Sequence, residues 1–225
     1  MPQAANDEKY YQVAGAGSLG QRLLIAARDR IYQDFERCCR PLRPSTILDF
    51  GVSDVVNEGA NFLERKYPYC ENITAVGLSD ALAFRAAYPT VQYLKAERNS
   101  PLPFPNCSFD IATSNAVLEH MGSQARQRFM IGELLRVARQ VFVTVPHRYF
   151  PVEHHTAIPL LHYWMPTFRL TCRILGKSEW AKEENLIFMS RRNLNLFVPA
   201  TRQSSIGFTG IKCGPLSSNL YLHIT

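Results

Sequence analysis

The chain has 225 residues, of which 46% are hydrophobic and 20% charged, and its 25 lysines and arginines outnumber 19 acidic residues to give a net charge of +6. This composition excludes a collagen-like, low-complexity or disordered chain, and the length suffices for one domain with a core of its own. The positive charge raises the question of nucleic-acid binding, but the basic residues are dispersed and no nucleic-acid-binding motif accompanies them, so we do not expect a nucleic-acid partner.

The sequence contains no apolar run long enough to span a membrane and no N-terminal secretion signal. Its six cysteines lack metal-ligand spacing, and without an export signal we expect them to remain free thiols. We therefore expect a cytoplasmic protein with no membrane span, folded as a single domain over residues 1–225.

Predicted helices and strands alternate along the first two thirds of the chain. Hydrophobic periodicity predicts helices at 18–39 (capped by Ser18), 55–66, 80–87 (capped by Ser79 or Asp80) and 123–138. Short apolar runs predict strands at 46–50, 73–78, 91–94, 109–114 and 140–145. This alternation is typical of βαβ units in a mainly parallel sheet, whose ligand lies beyond the carboxyl ends of the strands.

The last 75 residues have a different character. Residues 147–168 are rich in histidine, proline and aromatic residues and show no regular period, whereas a helix is predicted at 168–176. Two final strands, at 206–213 and 218–224, are separated by Gly214 and Pro215 and predict a hairpin. A hairpin at the end of a parallel sheet gives the sheet a mixed edge.

Two glycine-containing turns are candidates for ligand binding. The first, GAGSLG at 15–20, matches the dinucleotide-binding pattern, but no strand precedes it, so we interpret it as a lead-in to the first helix. The second, ILDFGVSD at 47–54, joins a strand to a helix. There Gly51 can adopt a positive φ and admit a ligand close to the backbone, and Asp49 can order the turn or accept hydrogen bonds from a cationic ligand. By itself this turn suits an adenosyl ligand and an ordinary β–α connection equally well.

A longer motif follows, LPFPNCSFDIATSNAVLEH at 102–120. Together with the turn at 47–54 it resembles the class I S-adenosylmethionine-dependent methyltransferases of the type 11 kind, whose fourth strand has the form LPFxxxSFDxVxSNxVLEH. The resemblance continues through ELLRV at 133–137 and FVTVP at 142–146. The segment YFPVEHHT at 149–156 resembles a subgroup with FPVE-x-HT after strand five. The resemblance covers roughly residues 45–224.

The resemblance implies an α/β fold with a Rossmann-like seven-stranded, mainly parallel sheet, helices on both faces and an antiparallel last strand. It implies an enzyme that uses S-adenosyl-L-methionine as methyl donor. The single domain would consist of an N-terminal helical cap at 1–44, a cofactor-binding core at 45–146, a substrate-side cover at 147–205 and a C-terminal hairpin at 206–225. The residues implied to bind the cofactor are Asp49, Gly51, Ser53, Asp80, Glu97, Asn115 and Ala116.

The sequence departs from the family pattern at several of these positions. Ser53 and Val55 replace two glycines of the first motif, and Gly77 stands where an acidic residue usually binds the ribose hydroxyls. Asp80, three residues later, is either its replacement or a helix cap, and Arg98 competes with Glu97 for the adenine side. Loss of a charge-assisted carboxylate–diol contact is expected to weaken cofactor binding by about 1.5–3 kcal/mol unless another group replaces it.

The acceptor side is predicted from the residues that follow strands four and five. A sulfonium methyl group is already activated, so the protein mainly aligns donor and acceptor, and a base is needed only for a hydroxyl or a protonated amine. His120, with Glu119, is predicted as catalytic or, alternatively, as a structural histidine. The predicted substrate-side residues, or alternatively a packed aromatic cover, are His147, Tyr149, Glu153, His154 and His155. With His162 they match no established zinc spacing, so we expect no metal.

We expect the acceptor to be a small molecule or a carbohydrate or lipid precursor. An RNA methyltransferase is one alternative, and a degenerate, non-catalytic member that binds a partner through the cofactor cleft is another. Six arginines gather in and after the first helix, where we expect a solvated face rather than a docking surface for an anionic partner; they are Arg22, Arg28, Arg30, Arg37, Arg40 and Arg43.

Overall fold

The computed structural model describes residues 18–225, so the first half of the glycine pattern at 15–20 lies outside the described residues. The strands are β1 (Ile47–Phe50), β2 (Ile73–Gly77), β3 (Gln92–Lys95), β4 (Phe109–Asn115), β5 (Ala138–Pro146), β6 (Ser204–Cys213) and β7 (Leu216–Ile224). The helices are α1 (Leu19–Cys39), α2 (Phe62–Lys66), α3 (Leu82–Ala87), α4 (Gln124–Val137), α5 (Met165–Ile174) and α6 (Arg191–Asn195). All seven predicted strands are therefore present.

The seven strands form one sheet in the order β3-β2-β1-β4-β5-β7-β6. Strands β1 to β5 pair in parallel, and β7 pairs antiparallel with both β5 and β6. This confirms the predicted mainly parallel sheet with an antiparallel last strand. Because Asp49 of β1 lies opposite Ala75 of β2 and Thr113 of β4, the carboxyl ends of these three strands meet at one edge. Strand order reverses between β1 and β4, which is where such sheets bind their ligands.

Alternate residues of the strands face two separate hydrophobic cores. Ile47 belongs to the core under α1, α2 and α3, whereas its neighbour Leu48 belongs to the core under α4 and α6. A third, smaller core lies within the cover and contains Phe168 of α5 and Trp180. Helices therefore cover both faces of the sheet, as predicted, and the cover packs around apolar residues of its own.

Helix α1 begins as the sequence predicts, because the Ser18 hydroxyl accepts a hydrogen bond of 3.2 Å from the Gln21 N–H. No helix within residues 18–225 is long and apolar enough to cross a membrane. All six cysteines are free thiols, as expected.

The predicted helix at 55–66 is confined to α2, which was a wrong prediction for its first half. The side-chain amide of Asn61 donates to the Ser53 and Val55 carbonyls, at 2.8 and 3.2 Å, and accepts from the Ser53 N–H at 3.1 Å. These three bonds satisfy the loop backbone without helical hydrogen bonds, so the helix begins only after Asn61.

The residue that caps helix α3 is distant from the helix in sequence. The prediction that Ser79 or Asp80 caps it was wrong, since the helix begins at Leu82 and the carboxylate of Asp54 accepts the Phe84 N–H at 2.9 Å. Asp54 lies in the loop after β1, so this bond ties that loop to the first turn of α3.

Candidate active site

The turn after β1 has the conformation that the sequence predicts. Gly51 has a φ of 95°, and its N–H donates to the Val76 carbonyl at 2.8 Å. A Cβ at this position would lie 2.3 Å from Cγ2 of Val117, which follows β4. Both the positive φ and this close approach require glycine here.

Asp49 is buried at the end of β1 with its carboxyl directed at Glu64 of α2. Burial raises the pKa of Asp49 to about 7 and raises that of Glu64 well above its ordinary value. Among the described residues no donor reaches either Glu64 oxygen, so the two carboxyls can bond to one another only when one of them carries a proton. Sequence reasoning missed Glu64. A direct contact of Asp49 with the cofactor stays a prediction.

The other departures from the family motif have local structural explanations. The buried Ser53 hydroxyl accepts the Val55 N–H at 3.1 Å, so it stabilises the loop that glycines would otherwise form. A Cβ at Gly77 would lie 2.6 Å from the Tyr93 hydroxyl and 3.0 Å from the Val52 carbonyl. The Tyr93 hydroxyl donates to the Ser79 carbonyl at 2.7 Å. The Tyr93 side chain thus occupies the space that an acidic side chain at position 77 would need.

The two remaining acidic candidates lie at the surface. Asp80 forms an exposed ion pair with Lys95, at 2.6 Å, and the hydrogen bond and charge of that lysine lower its pKa. Glu97 is exposed in the turn after β3, beside its exposed rival Arg98. The Lys95 pair weighs against Asp80 as the missing ribose ligand, whereas the role of Glu97 stays a prediction.

Asn115, at the end of β4, is held by an arginine that the sequence analysis placed in the solvated face. Its Oδ1 accepts from Nη1 of Arg28 at 2.6 Å and from Oγ1 of Thr144 at 2.5 Å. Arg28 is buried and its Nε donates to the Gly59 carbonyl at 3.3 Å, so the prediction of a solvated side chain was wrong. The sequence signal for its burial was its spacing, because Leu24, Arg28 and Ile31 share one face of α1.

Ala116 follows with a φ of 55°, an uncommon value for alanine, and its N–H donates to the Thr144 carbonyl at 2.9 Å. The chain therefore leaves β4 sharply beside the Gly51 turn. The buried guanidinium of Arg28 and the amide of Asn115 suit the carboxylate and amino groups of an amino-acid ligand. These donors fit the methionine end of S-adenosylmethionine, whereas no carboxylate among the described residues stands at the usual ribose position.

A histidine cluster lies directly beyond this edge and consists of Glu119, His120 and His155. Glu119 and His120 belong to the 3₁₀ turn Leu118–His120 after β4, and His155 comes from the cover. The two Nε2 atoms lie 3.1 Å apart, with the rings nearly perpendicular. Oε1 of Glu119 lies 3.9 Å from Nε2 of His120, and the Trp180 ring packs on His155 at a centroid distance of 4.9 Å.

The other nitrogen of each imidazole has a fixed acceptor. Nδ1 of His120 lies 2.7 Å from the Asn185 carbonyl, and Nδ1 of His155 lies 2.8 Å from Oε1 of Glu153. A carbonyl and an ionised carboxylate only accept hydrogen bonds, so both Nδ1 atoms carry protons. Glu153 also accepts from the Thr156 N–H and hydroxyl, each at 2.6 Å.

Protonation within the cluster follows from these contacts. Burial and the charge of His155 lower the pKa of His120 to about 3. Burial also disfavours charge on His155, but the hydrogen bond and charge of Glu153 outweigh it and raise the pKa of His155. Burial would raise the pKa of Glu153, yet its bonds to His155 and Thr156 lower it to about 2. Burial raises the pKa of Glu119 to about 7.

The five predicted substrate-side residues separate into three groups. Glu153 and His155 support or form the histidine cluster. His147 is buried, with Nδ1 3.1 Å from the Ser217 carbonyl, and His154 is half-buried against Phe150, which agrees with the alternative of a packed cover. Tyr149 is exposed. A cavity of about 10 Å³ lies between the cover and the turn after β4 and is lined in part by Glu119, Glu153, His154 and His162.

The comparisons with known proteins agree with the predicted fold. Residues 49–141 match a family model for a methyltransferase domain. A search of curated protein sequences finds no significant match.

Solved structures share the fold at low sequence identity. A SAM-dependent methyltransferase from Aquifex aeolicus is 12% identical, with 100% of this chain and 98% of that chain covered and a TM-score of 0.54. The N-methyltransferase NodS from Bradyrhizobium japonicum, in complex with S-adenosyl-L-homocysteine, is 11% identical, with coverage of 98% and 96% and a TM-score of 0.55. A Pyrococcus horikoshii protein is 13% identical, with coverage of 96% and 98% and a TM-score of 0.62.

The strand order, the glycine turn after β1 and the family match over the core lead to one assignment. Residues 49–141 form a methyltransferase domain, in a fold that the chain shares with S-adenosylmethionine-dependent methyltransferases, and S-adenosylmethionine is the cofactor that these findings indicate.

Proposed function

We propose that the protein methylates a hydroxyl group of a small polar acceptor, drawn from small metabolites or from carbohydrate or lipid precursors. The observation that carries this proposal is the histidine cluster, which gathers a buried carboxyl and two imidazoles beyond the carboxyl end of β4. A hydroxyl acceptor must lose a proton during methyl transfer, and titratable groups at the acceptor side serve that need.

Arg28 connects the donor side of the site with the acceptor side. Its guanidinium bonds to Asn115 at the cofactor edge, and its positive charge also lowers the pKa of Glu119 within the cluster. The cofactor edge and the cluster are therefore neighbours. Gly51, Asn115 and Ala116, together with Arg28, would hold the donor, which supplies an activated methyl group on a sulfonium when it is bound.

Within the cluster, the pKa values favour Glu119 over His120 as the group that takes up the proton. A general base works best when its pKa lies near the working pH. The pKa of Glu119 is about 7, whereas that of His120 is about 3. His120 is the more exposed of the two side chains, at 17% against 1%, and we assign it to contact with the acceptor.

The arginines of the first helix give the RNA alternative little support. Arg28 is buried, and Arg37 is bound to Asp34 at 2.7 Å with its guanidinium over the Tyr221 ring. Arg28 is thus withdrawn from any basic face, and the charge of Arg37, whose side chain is exposed, is offset by Asp34.

A screen of acceptors tests the proposal. Purified protein and S-adenosylmethionine would be incubated with matched hydroxyl and amine compounds, including sugars, and S-adenosylhomocysteine release and product mass would be measured. We expect methyl ethers from hydroxyl compounds. Methylated amines with no methyl ether would contradict the proposal.

A further inference from the structure

We propose that Glu119, His120 and His155 together bind one divalent transition-metal ion of the Zn²⁺ class. The inference goes beyond the proposed function, because metal binding does not depend on which acceptor is methylated. It rests on four features of the cluster: the spacing of its ligand atoms, its supporting hydrogen bonds, its unsatisfied charge and its donor types.

The ligand atoms are already close enough for one ion. One carboxylate oxygen of Glu119 and one nitrogen from each histidine lie within 4.8 Å of one another. Zinc bonds of about 2.0–2.2 Å in tetrahedral geometry hold neighbouring ligand atoms roughly 3.3–3.5 Å apart. The Nε2 atoms, at 3.1 Å, therefore need to separate slightly, and Oε1 of Glu119, at 3.9 Å from His120, needs to approach slightly.

Each histidine is oriented by a partner on its far side, as metal-ligating histidines are. The Asn185 carbonyl accepts the Nδ1 proton of His120, and Glu153 accepts that of His155. Both neutral rings would then direct an Nε2 lone pair toward the same point. Two lone pairs 3.1 Å apart repel one another unless a cation lies between them. A proton on His155 is one such cation, and a metal ion is another.

Glu119 supplies an independent observation. Its side chain is 1% exposed, and neither carboxylate oxygen has a hydrogen-bond partner among residues 18–225. A buried carboxylate without a bonded partner is costly, and metal coordination is one of the ways in which proteins compensate such a charge. Arg28 and Glu153 are the other charged groups that act on it, with opposite effects.

The donor set indicates the kind of ion. Two imidazoles and one carboxylate suit Zn²⁺ and its transition-metal neighbours, whereas Mg²⁺ prefers oxygen ligands only. Three protein ligands leave a fourth position for a hydroxyl, whose pKa the ion would lower. With the ion bound, Glu119 would be a ligand and would no longer take up the proton as it does in the metal-free protein, so the hydroxyl proton would leave to solvent. The C–O bond to the methyl group then forms as the sulfonium C–S bond breaks, giving a methyl ether and S-adenosylhomocysteine.

Metal-free protein titrated with Zn²⁺ and, separately, Mg²⁺ tests the site by calorimetry and elemental analysis. We expect one tight Zn²⁺ per chain and much weaker Mg²⁺ binding. Glu119→Gln and His155→Gln should each weaken Zn²⁺ binding at least tenfold, and the supporting variant Glu153→Gln by about 10–100-fold. His223→Gln is the matched control, since His223 lies on β7 with its ring bonded to Gln140, and should leave binding unchanged.

Co²⁺ absorption of the wild-type protein adds a measurement that needs no variant to fold, and a spectrum of tetrahedral nitrogen and oxygen coordination is expected. The proposal is overturned if wild-type protein binds no Zn²⁺ at millimolar concentration, or if the cluster variants bind it as tightly as the control. Zn²⁺ binding without methyl transfer to hydroxyls would keep the metal site and remove the proposed function. Methyl transfer to hydroxyls by protein that binds no Zn²⁺ would keep the proposed function and remove the metal site.

Discussion

The Nε2 atoms of His120 and His155 lie 3.1 Å apart, although 35 residues separate them in sequence. His120 ends the turn after β4, and His155 lies in the cover after β5. Parallel pairing of β4 with β5 brings the two segments to the same edge of the sheet. The carboxyl of Glu119 lies beside this pair, and we propose that the three groups together serve the acceptor.

The buried carboxyl pair below the glycine turn makes the stability of the fold depend on pH. The pKa of Asp49 is raised from 3.8 to about 7 in the folded protein, and that of Glu64 is raised as well. The folded state thus binds more protons than the unfolded state between about pH 4 and 7, so the free energy of unfolding falls as pH rises through this window. Glu64→Gln should flatten this decline, because its amide can donate to an ionised Asp49.

Denaturant unfolding at several pH values checks this. Wild type and Glu64→Gln should have similar stability near pH 7. At pH 5 wild type should be the more stable of the two, because the variant lacks the shared proton. Parallel pH profiles for the two proteins would contradict the shared-proton interpretation.

Arg28 is predicted to support cofactor binding. Arg28→Met removes the charge and the bond to Asn115 while keeping a long apolar side chain, and we expect S-adenosylmethionine affinity to fall about tenfold or more, in line with loss of a charge-assisted hydrogen bond. Arg22→Ala, an exposed position on the same helix, is the control and should bind normally. Calorimetric titration measures both, and equal affinity of the two variants would place the donor elsewhere.

Gly77→Asp, which restores the family's usual acidic residue, should destabilise the fold when it is introduced alone. Its Cβ would lie 2.6 Å from the Tyr93 hydroxyl and 3.0 Å from the Val52 carbonyl, so we expect a loss of about 1–3 kcal/mol in the free energy of unfolding. Combined with Tyr93→Ala, the new carboxylate gains space. The double variant should bind S-adenosylmethionine more tightly than Tyr93→Ala alone, by about 1.5–3 kcal/mol.

Thermal melts and cofactor titrations on the two single variants and the double variant test this reasoning. A stable Gly77→Asp single variant would show that the tyrosine moves easily. A double variant with no gain in affinity would show that the ribose does not lie against β2.

The fold was largely predictable because local patterns specify it. Each strand is a short apolar run between turn residues, and the spacing of β6 and β7 around Gly214 indicates a hairpin. The cofactor edge was partly predictable, since parallel strands bring Gly51 and Asn115 together whatever else the chain does. The glycine turn and the Asn115-to-His120 stretch therefore lie where expected.

The remaining features depend on contacts between distant segments, which periodicity does not encode. Arg28 reaches Asn115 only because α1 packs over the sheet, and Tyr93 covers Gly77 only through the pairing of β2 with β3. The pairing of His120 with His155 depends on the path of an irregular segment around Trp180. No local pattern in residues 147–168 predicts that path.

Paired measurement of S-adenosylmethionine affinity and of turnover tests the central claim most directly, namely that one edge of the sheet holds the donor and the histidine cluster serves the acceptor. Glu119→Gln should lower turnover by about 100-fold or more and leave cofactor affinity within about twofold of wild type. Arg28→Met should instead reduce cofactor affinity more than it reduces turnover. If both variants lose affinity and turnover together, the cluster maintains the fold and does not serve the acceptor, and the account is contradicted.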